Sequence, residues 1–317
     1  LTPTLDDVMA IFSDVIRNPA FTEADFTRVK AQQVQGLRQS LRDPNAIASR
    51  VMSKMLWGAE HPYGRQASPD EMASIKREDV VAFHKRWFGP NNATLVVVGD
   101  TTMAEITPKL EAAFRDWKPV DGKPAPVAAG VRPAKPKVYL VDRPGSVQSV
   151  ILVGSTTGPR DPAMDTRYSA FNALFGGNFT SRINMNLRED HGWSYGARTG
   201  ISGGRGPRSF ILTAPVQTDA TKGALTEVRK EMRDIVGGKP VSQAELDTAR
   251  TNTLFGLGSR WETAGAVAGS LSDIEEFDLP DDYWSKYSAN YRAVTVNDVR
   301  GVAKTLIPDQ NQIWVVV

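Results

Sequence analysis

The 317-residue chain contains no cysteine, which excludes disulfides, thiolate nucleophiles and Cys-ligated zinc or iron-sulfur centres. Histidine is nearly as scarce. The three present, His61, His84 and His191, are far apart in sequence, so the His-x-x-Glu-His pattern that sets two imidazoles on one helical face around zinc is missing. Long apolar runs are lacking too: Leu95 to Val98 and Ile313 to Val317 are short, whereas a helix crossing a bilayer needs about 20 apolar residues in succession. Neither sign of charge dominates, with 38 Lys and Arg against 36 Asp and Glu, and the scattered basic residues offer nucleic acid little to bind. What is present, 41% hydrophobic and 23% charged residues, is the balance of a folded chain long enough for two packed domains. Leu1 to Arg17 reads as an amphipathic helix and not as a signal peptide, so a targeting segment is expected to have been removed or never included.

An internal repeat organises the rest. At an offset of 220, Phe21-Thr22-Glu23-Ala24-Asp25-Phe26 aligns with Val241-Ser242-Gln243-Ala244-Glu245-Leu246, and Val8, Asp14 and Val15 align with Val228, Asp234 and Ile235. At 219, Asp79-Val80 aligns with Asp298-Val299, and the apolar run ending at Val98 with Ile313 to Val317. Leu1 corresponds to residue 221, yet the second copy has structure from about Lys137, so about 85 residues lack a counterpart in the first copy. The expected domains are 1–117, the C-terminal part of a first domain truncated at its N-terminus, and 137–317, a nearly complete second one. Residues 118–136 join them, with Pro119, Pro124, Pro126, Pro133 and Pro136 in an extended linker.

Periodicity predicts helices near 4–17, 22–41, 44–57, 76–88 and 102–115 and a buried strand over Asn92 to Val98 in the first copy. The second copy is read as strands near 137–142, 147–154, 194–202 and 208–215, with helices near 164–175, 180–190, 219–236, 242–258, 261–276 and 295–306. Strands come in runs and helices in runs, which is an α+β arrangement with a mainly antiparallel sheet.

Few segments carry chemistry. All three histidines are expected to be surface groups or satisfied internally, with His61 in a His-Pro-Tyr-Gly loop. Gly192-Trp193-Ser194-Tyr195-Gly196 matches the Gly-x-Ser-x-Gly elbow of serine hydrolases but follows a helix instead of a strand and has no histidine after it, so the match is accidental. The glycine pairs 176–177, 203–204 and 237–238 lack the Lys-Ser or Lys-Thr of a phosphate loop. The densest stretch is Leu174 to Thr199. There a helix stops at Gly176-Gly177, a second starts with Thr180 as N-cap, and Ile183 with Leu187 forms a buried i, i+4 stripe. The turn at Asp190 to Gly192 lets Arg188 and Tyr195 converge; equally, Arg188 can pair with local carbonyls or Glu189, with Tyr195 half-buried on a sheet.

This stretch resembles the pitrilysin, or insulinase, family of zinc metallopeptidases, in the half that carries no zinc. The resemblance rests on Gly176-Gly177, Ser181-Arg182, Leu187-Arg188-Glu189 and Gly192-Trp193-Ser194-Tyr195, with further landmarks at Asn18-Pro19-Ala20-Phe21, His61-Pro62-Tyr63-Gly64 and Pro90-Asn91-Asn92-Ala93-Thr94. It implies two homologous α/β domains, helices packed on a mainly antiparallel sheet, and a clamshell in which a zinc-bearing half, of the same longer chain or a separate subunit, closes with this one on an unfolded peptide. Arg188 and Tyr195 would support the transition state. Gly176, Gly177, Asn178 and Arg182 would line the substrate, the glycines by letting its backbone approach, and the strand after Tyr195 would offer edge pairing. No metal ligand is expected in this chain, because residues 26–42 contain no acid and Tyr168-Ser169-Ala170-Phe171-Asn172-Ala173 stands where the histidine motif aligns; zinc belongs to the other half, and the chain alone is expected to be inactive. The family also covers core subunits of respiratory complexes, which makes a structural or assembly subunit the alternative. A bacterial periplasmic location suits the missing cysteines.

Overall fold

A computed structural model describes residues 2–131, 135–308 and 311–317; Pro133 of the expected linker lies outside them. Six helices come first: α1 (Leu5–Arg17), α2 (Glu23–Ser40), α3 (Pro44–Trp57), α4 (Pro69–Ser74), α5 (Arg77–Trp87) and α6 (Met103–Phe114). Strands β1 (Lys137–Leu140) and β2 (Gln148–Thr157) lead to α7 (Pro162–Phe175) and a single turn, α8 (Arg182–Asn184), that widens into a π-helical stretch, Met185–Asp190. Next are β3 (Arg198–Ile201), β4 (Arg208–Gln217), α9 (Thr221–Arg233), α10 (Gln243–Leu257), α11 (Ala264–Phe277), α12 (Tyr283–Ala293), α13 (Val296–Leu306) and β5 (Ile313–Val316). Most helix starts carry their signal locally. Thr102, Ser242 and Thr295 each accept from the backbone N–H three residues on, and the acid there returns a bond.

All five strands form one sheet of order β1-β5-β2-β4-β3, antiparallel except for the β1–β5 pair. One face carries α7, α9, α10 and α13 over a core that includes Phe171, Phe210, Val228, Ile235 and Tyr291. The other face, Val150, Leu152, Ile313, Val315 and Val317, is covered by Ala48, Met52, Leu56 and Trp57 of α3. Helix and sheet approach so closely that a Cβ on Gly154 would lie 2.6 Å from the Met52 sulfur.

The chain divides into two compact units. One comprises residues 1–39, 67–125 and 260–275, the other 40–66, 126–259 and 276–317. Helix α3, within the expected first domain of 1–117, belongs to the unit that holds the sheet, and most of α11, 220 residues further on, belongs to the unit that holds α1, α5 and α6. The first unit holds α1 against α6 through Arg17, which donates to the Ala113 carbonyl at 2.7 Å, and anchors α5 through His84, whose Nε2 lies 2.8 Å from the Ile16 carbonyl. The strand expected over Asn92 to Val98 does not form, and Leu95 and Val97 are exposed. A strand needs neighbours to satisfy its N–H and C=O groups, and among the described residues the first unit contains none. Helices α4 and α12 were not expected from periodicity.

Candidate functional site

The second unit builds the Leu174 to Thr199 stretch into a folded-back loop at one end of the sheet. Helix α7 ends at Gly176 because β3 docks there. Thr199 donates its N–H to the Gly176 carbonyl at 3.0 Å and its hydroxyl to Asn172 at 2.8 Å. A Cβ on Gly176 would fall 2.6 Å from the Thr199 nitrogen, and one on Gly177 2.8 Å from the Asn172 carbonyl oxygen. The glycines thus serve an internal helix-to-strand contact, a reason the sequence did not announce. Asn178 is exposed, its carbonyl accepting from the backbone and hydroxyl of Ser181, and Ser181, not Thr180, is the N-cap.

Ile183 and Leu187 are fully buried, as their spacing predicts. Buried Asn184 binds the loop's two arms together, donating to the Phe179 carbonyl at 2.6 Å and accepting from the Ala197 N–H at 3.1 Å. Asn186 ties the π-helical stretch to α9 by donating to both Glu227 (2.9 Å) and Glu231 (3.0 Å). That amide draws the Glu227 carboxyl below its ordinary pKa, whereas burial outweighs it and pushes Glu231 up. Gly192, at φ +65°, reverses the chain.

Arg188 and Tyr195 are brought together by this reversal. The Arg188 guanidinium donates to the Tyr195 carbonyl at 2.9 Å and pairs with Glu189 at 3.1 Å. It also lies 4.7 Å from the centroid of the Phe179 ring. Tyr195 is 86% exposed, so its phenol stands in solvent and is not half-buried on the sheet. Phe179, 55% exposed beneath the cation, is the member that sequence reasoning missed; an aromatic in the turn after a Gly-Gly break was its one signal.

Arg182 goes elsewhere. It forms a two-pronged pair with Glu245 (2.8 and 2.9 Å) and donates to the Lys239 and Pro240 carbonyls, which fastens the loop to the start of α10. Burial opposes ionisation of Glu245, but Arg182 and Ser242 prevail and hold its pKa at about 2.

The competing motifs are accounted for. The Ser194 hydroxyl donates to the Pro215 carbonyl at 2.6 Å and accepts from the Gly196 N–H. His61 is buried and bonded to the Ala128 carbonyl and the Tyr63 N–H, and His191 stacks on Trp193. Among the described residues no three His, Asp or Glu side chains converge as a metal-binding group. Strand β3 lies at the sheet edge, where the outward N–H of Thr199 and that of Ala197, just before the strand, are spent on Gly176 and Asn184, so the first half of that edge is closed to a peptide.

Among curated proteins the chain is similar to a non-peptidase homolog, YmxG, of Helicobacter pylori, with 24% identity over 87% of this chain and 63% of that protein. It is 20% identical to an uncharacterized zinc protease of Streptomyces coelicolor over 94% of this chain and 66% of that one. The chain therefore spans just under two thirds of the length of both relatives. Its fold superposes on the crystal structure of a peptidase M16 inactive domain from Pseudomonas fluorescens (TM-score 0.86, 23% identity, 98% of this chain and 74% of that one). It also matches a protease from H. pylori (TM-score 0.89, 18%, 99% and 77%). More distant matches include the periplasmic protease PqqL of Escherichia coli (TM-score 0.74, 17%, 93% and 33%) and a chain of complex III from Candida albicans (0.77, 13%, 99% and 77%). No helix among the described residues is long and apolar enough to cross a membrane. The profile of the family described as peptidase M16 inactive domain matches residues 74–253, more than half of the sequence and all of the loop built here, and the chain belongs to that family.

Proposed function

We propose that this chain is the non-catalytic half of a pitrilysin-like zinc endopeptidase, gripping unfolded peptide and supplying Arg188 and Tyr195 to a zinc-bearing half. One observation carries the reading: the Tyr195 phenol projects into solvent from a backbone that Arg188 itself holds in place. The zinc-bearing half would supply the activated water for attack on a peptide carbonyl, and the Arg188 guanidinium and Tyr195 phenol would stabilise the negative charge that develops on the carbonyl oxygen. Zinc sits on the other half, part of the same longer chain or a separate subunit, and the pair works in the bacterial periplasm, where the similar PqqL acts as a protease. In this reading residues 1–117 are the C-terminal part of the first of two homologous domains, completed by a sheet like that of the second. Gly176 and Gly177 shape the cleft wall indirectly, by seating β3. Asn178 meets substrate from the exposed turn, and Arg182 acts by fixing the loop to α10.

The test is cleavage of a short unstructured peptide by the zinc-bearing half together with this chain. Removal of one oxyanion donor is worth about 100 to 1000-fold in rate, so Arg188→Ala and Tyr195→Phe are each expected to slow turnover by about that factor. Unchanged rates would overturn the assignment. A second reading, a structural or assembly subunit without proteolysis, draws support from the complex III likeness and from the non-peptidase name of the H. pylori relative. Copurification separates the two: a stable partner carrying His-x-x-Glu-His supports the peptidase, and a stable partner without it supports the assembly role.

A further inference from the structure

The sheet has a second edge, at β1, and it is built in the opposite way to the β3 edge. The N–H groups of Lys137 and Val141 donate to the Gln312 and Val316 carbonyls at 3.0 and 2.8 Å. By alternation along the strand, the N–H and C=O groups of Val138 and Leu140 turn away from β5 toward the outer edge. The same two residues are 69% and 75% exposed. Val138 is registered with Trp314 and Leu140 with Val316, so their side chains stand on the sheet face that carries α9. Natural edges are blunted with proline, bulges or inward charge because an open, apolar one recruits another strand; β1 has none of these between Val138 and Leu140.

What faces this edge is cationic. Between β1 and α9 runs a groove of about 1010 Å³ whose floor includes Leu225, Val236, Ile307 and Trp314. Lys222, Arg229 and Arg233 line its helical wall at positions i, i+7 and i+11, a spacing that keeps them on one stripe. All three are exposed, and among the described residues none of their side chains forms a hydrogen bond or ion pair, whereas that of neighbouring Lys230 is tied to Glu227 at 3.1 Å. The single carboxylate of the lining is Asp234.

We propose that the groove between β1 and α9 binds an extended acidic polypeptide segment, which adds to the sheet outside β1 and points alternate carboxylates at Lys222, Arg229 and Arg233. Main-chain bonds to Val138 and Leu140 supply attachment independent of sequence, and the cationic stripe selects acidic over neutral or basic segments. A second copy of this chain does not suit the site, because it would bring its own cationic stripe to the same edge. The groove shares no residue with the Arg188 and Tyr195 loop, so this inference stands or falls separately from the peptidase reading.

The probe is a fluorescently labelled synthetic peptide alternating Glu and Leu, titrated into the full chain and followed by anisotropy, with hydrogen exchange on the same samples. Binding is expected to weaken as salt is raised, to fall about tenfold or more in the Arg229→Glu/Arg233→Glu double variant, and to be unaffected by Arg188→Ala. The Val138 and Leu140 amides should gain protection in the complex. Val138→Pro, which removes one outward donor at an edge position where proline is tolerated, should weaken binding several-fold while leaving the circular dichroism of the free chain unchanged. The proposal is overturned if the peptide does not bind, if a Lys-Leu counterpart binds equally well, or if binding leaves the two amides unprotected.

Discussion

Residues that align at offsets of 220 and 219 in the sequence stand in opposite surroundings. Val15 on α1 is 61% exposed, while its counterpart Ile235, just past α9, is fully buried; Val8 and Val228 divide the same way. Leu95 and Val97 lie in irregular, exposed chain, whereas Trp314 and Val316 are inner residues of β5, paired on both sides by β1 and β2. The apolar spacing is present in both aligned stretches; among the described residues the sheet is present in one. Periodicity therefore reports that a helix has an apolar stripe, and a separate body of chain decides whether that stripe becomes core.

The largest expected difference lies in those stripes. Ile235→Ala should cost about 2–5 kcal/mol in urea unfolding, by lost transfer energy plus the cavity left in a closed core. Val15→Ala should change stability by less than about 0.5 kcal/mol, as exposed substitutions do. Should the two costs prove equal, the α1 stripe is covered after all and the contrast between the units collapses. Conversely, polypeptide that completes the first unit with a sheet should raise the cost of Val15→Ala toward that of Ile235→Ala.

A smaller difference should appear in acid. Glu245 is held at about 2, below its ordinary 4.5, by Arg182 and Ser242 against the pull of burial. A carboxylate depressed in the folded state contributes stability that is fully present above the unfolded value and is lost as pH falls through the folded one. Melting temperature in the second unit should therefore fall between about pH 4.5 and 2, and Glu245→Gln should flatten that fall while lowering stability at neutral pH. The side chain remains partly open to solvent, so the effect should be well below that of the core truncation. In the first unit Asp25, which aligns with Glu245, meets exposed Arg28 and Thr22 and, among the described residues, has no long-range partner.

What could be read from the sequence follows the same divide. Helix α3 forms over the expected 44–57, capped by Asp43 and Gly58, and Ala48, Met52 and Leu56 mark its buried side. Nothing in that stripe says which sheet it will cover, and it covers the second repeat's. Helix α12 escaped because its inward stripe, Tyr283, Tyr287 and Tyr291 at four-residue spacing, is built of tyrosines and not of aliphatic residues. In the site, the Leu-Arg-Glu to Tyr spacing brought Arg188 and Tyr195 to attention. The destination of Arg182 depends on Glu245, 63 residues away, and the need for Gly176 depends on Thr199. Both are tertiary facts without a local mark.

The smallest expected effect is one that should not differ between the units at all. Thr22 accepts from the Asp25 N–H at 3.2 Å and Ser242 from the Glu245 N–H at 3.3 Å, each capping its own helix at equivalent places in the repeat. A cap satisfies donors of the helix it begins and asks nothing of the surrounding core. Thr22→Ala and Ser242→Ala should thus each cost about 1 kcal/mol, read as faster exchange of the Asp25 and Glu245 amides, with Asn at either position restoring protection. If Ser242→Ala proved several times more harmful than Thr22→Ala, the cap at α10 would be acting through Arg182 and Glu245 and not through its helix, and the contrast between the units would extend down to the local signals the two copies share.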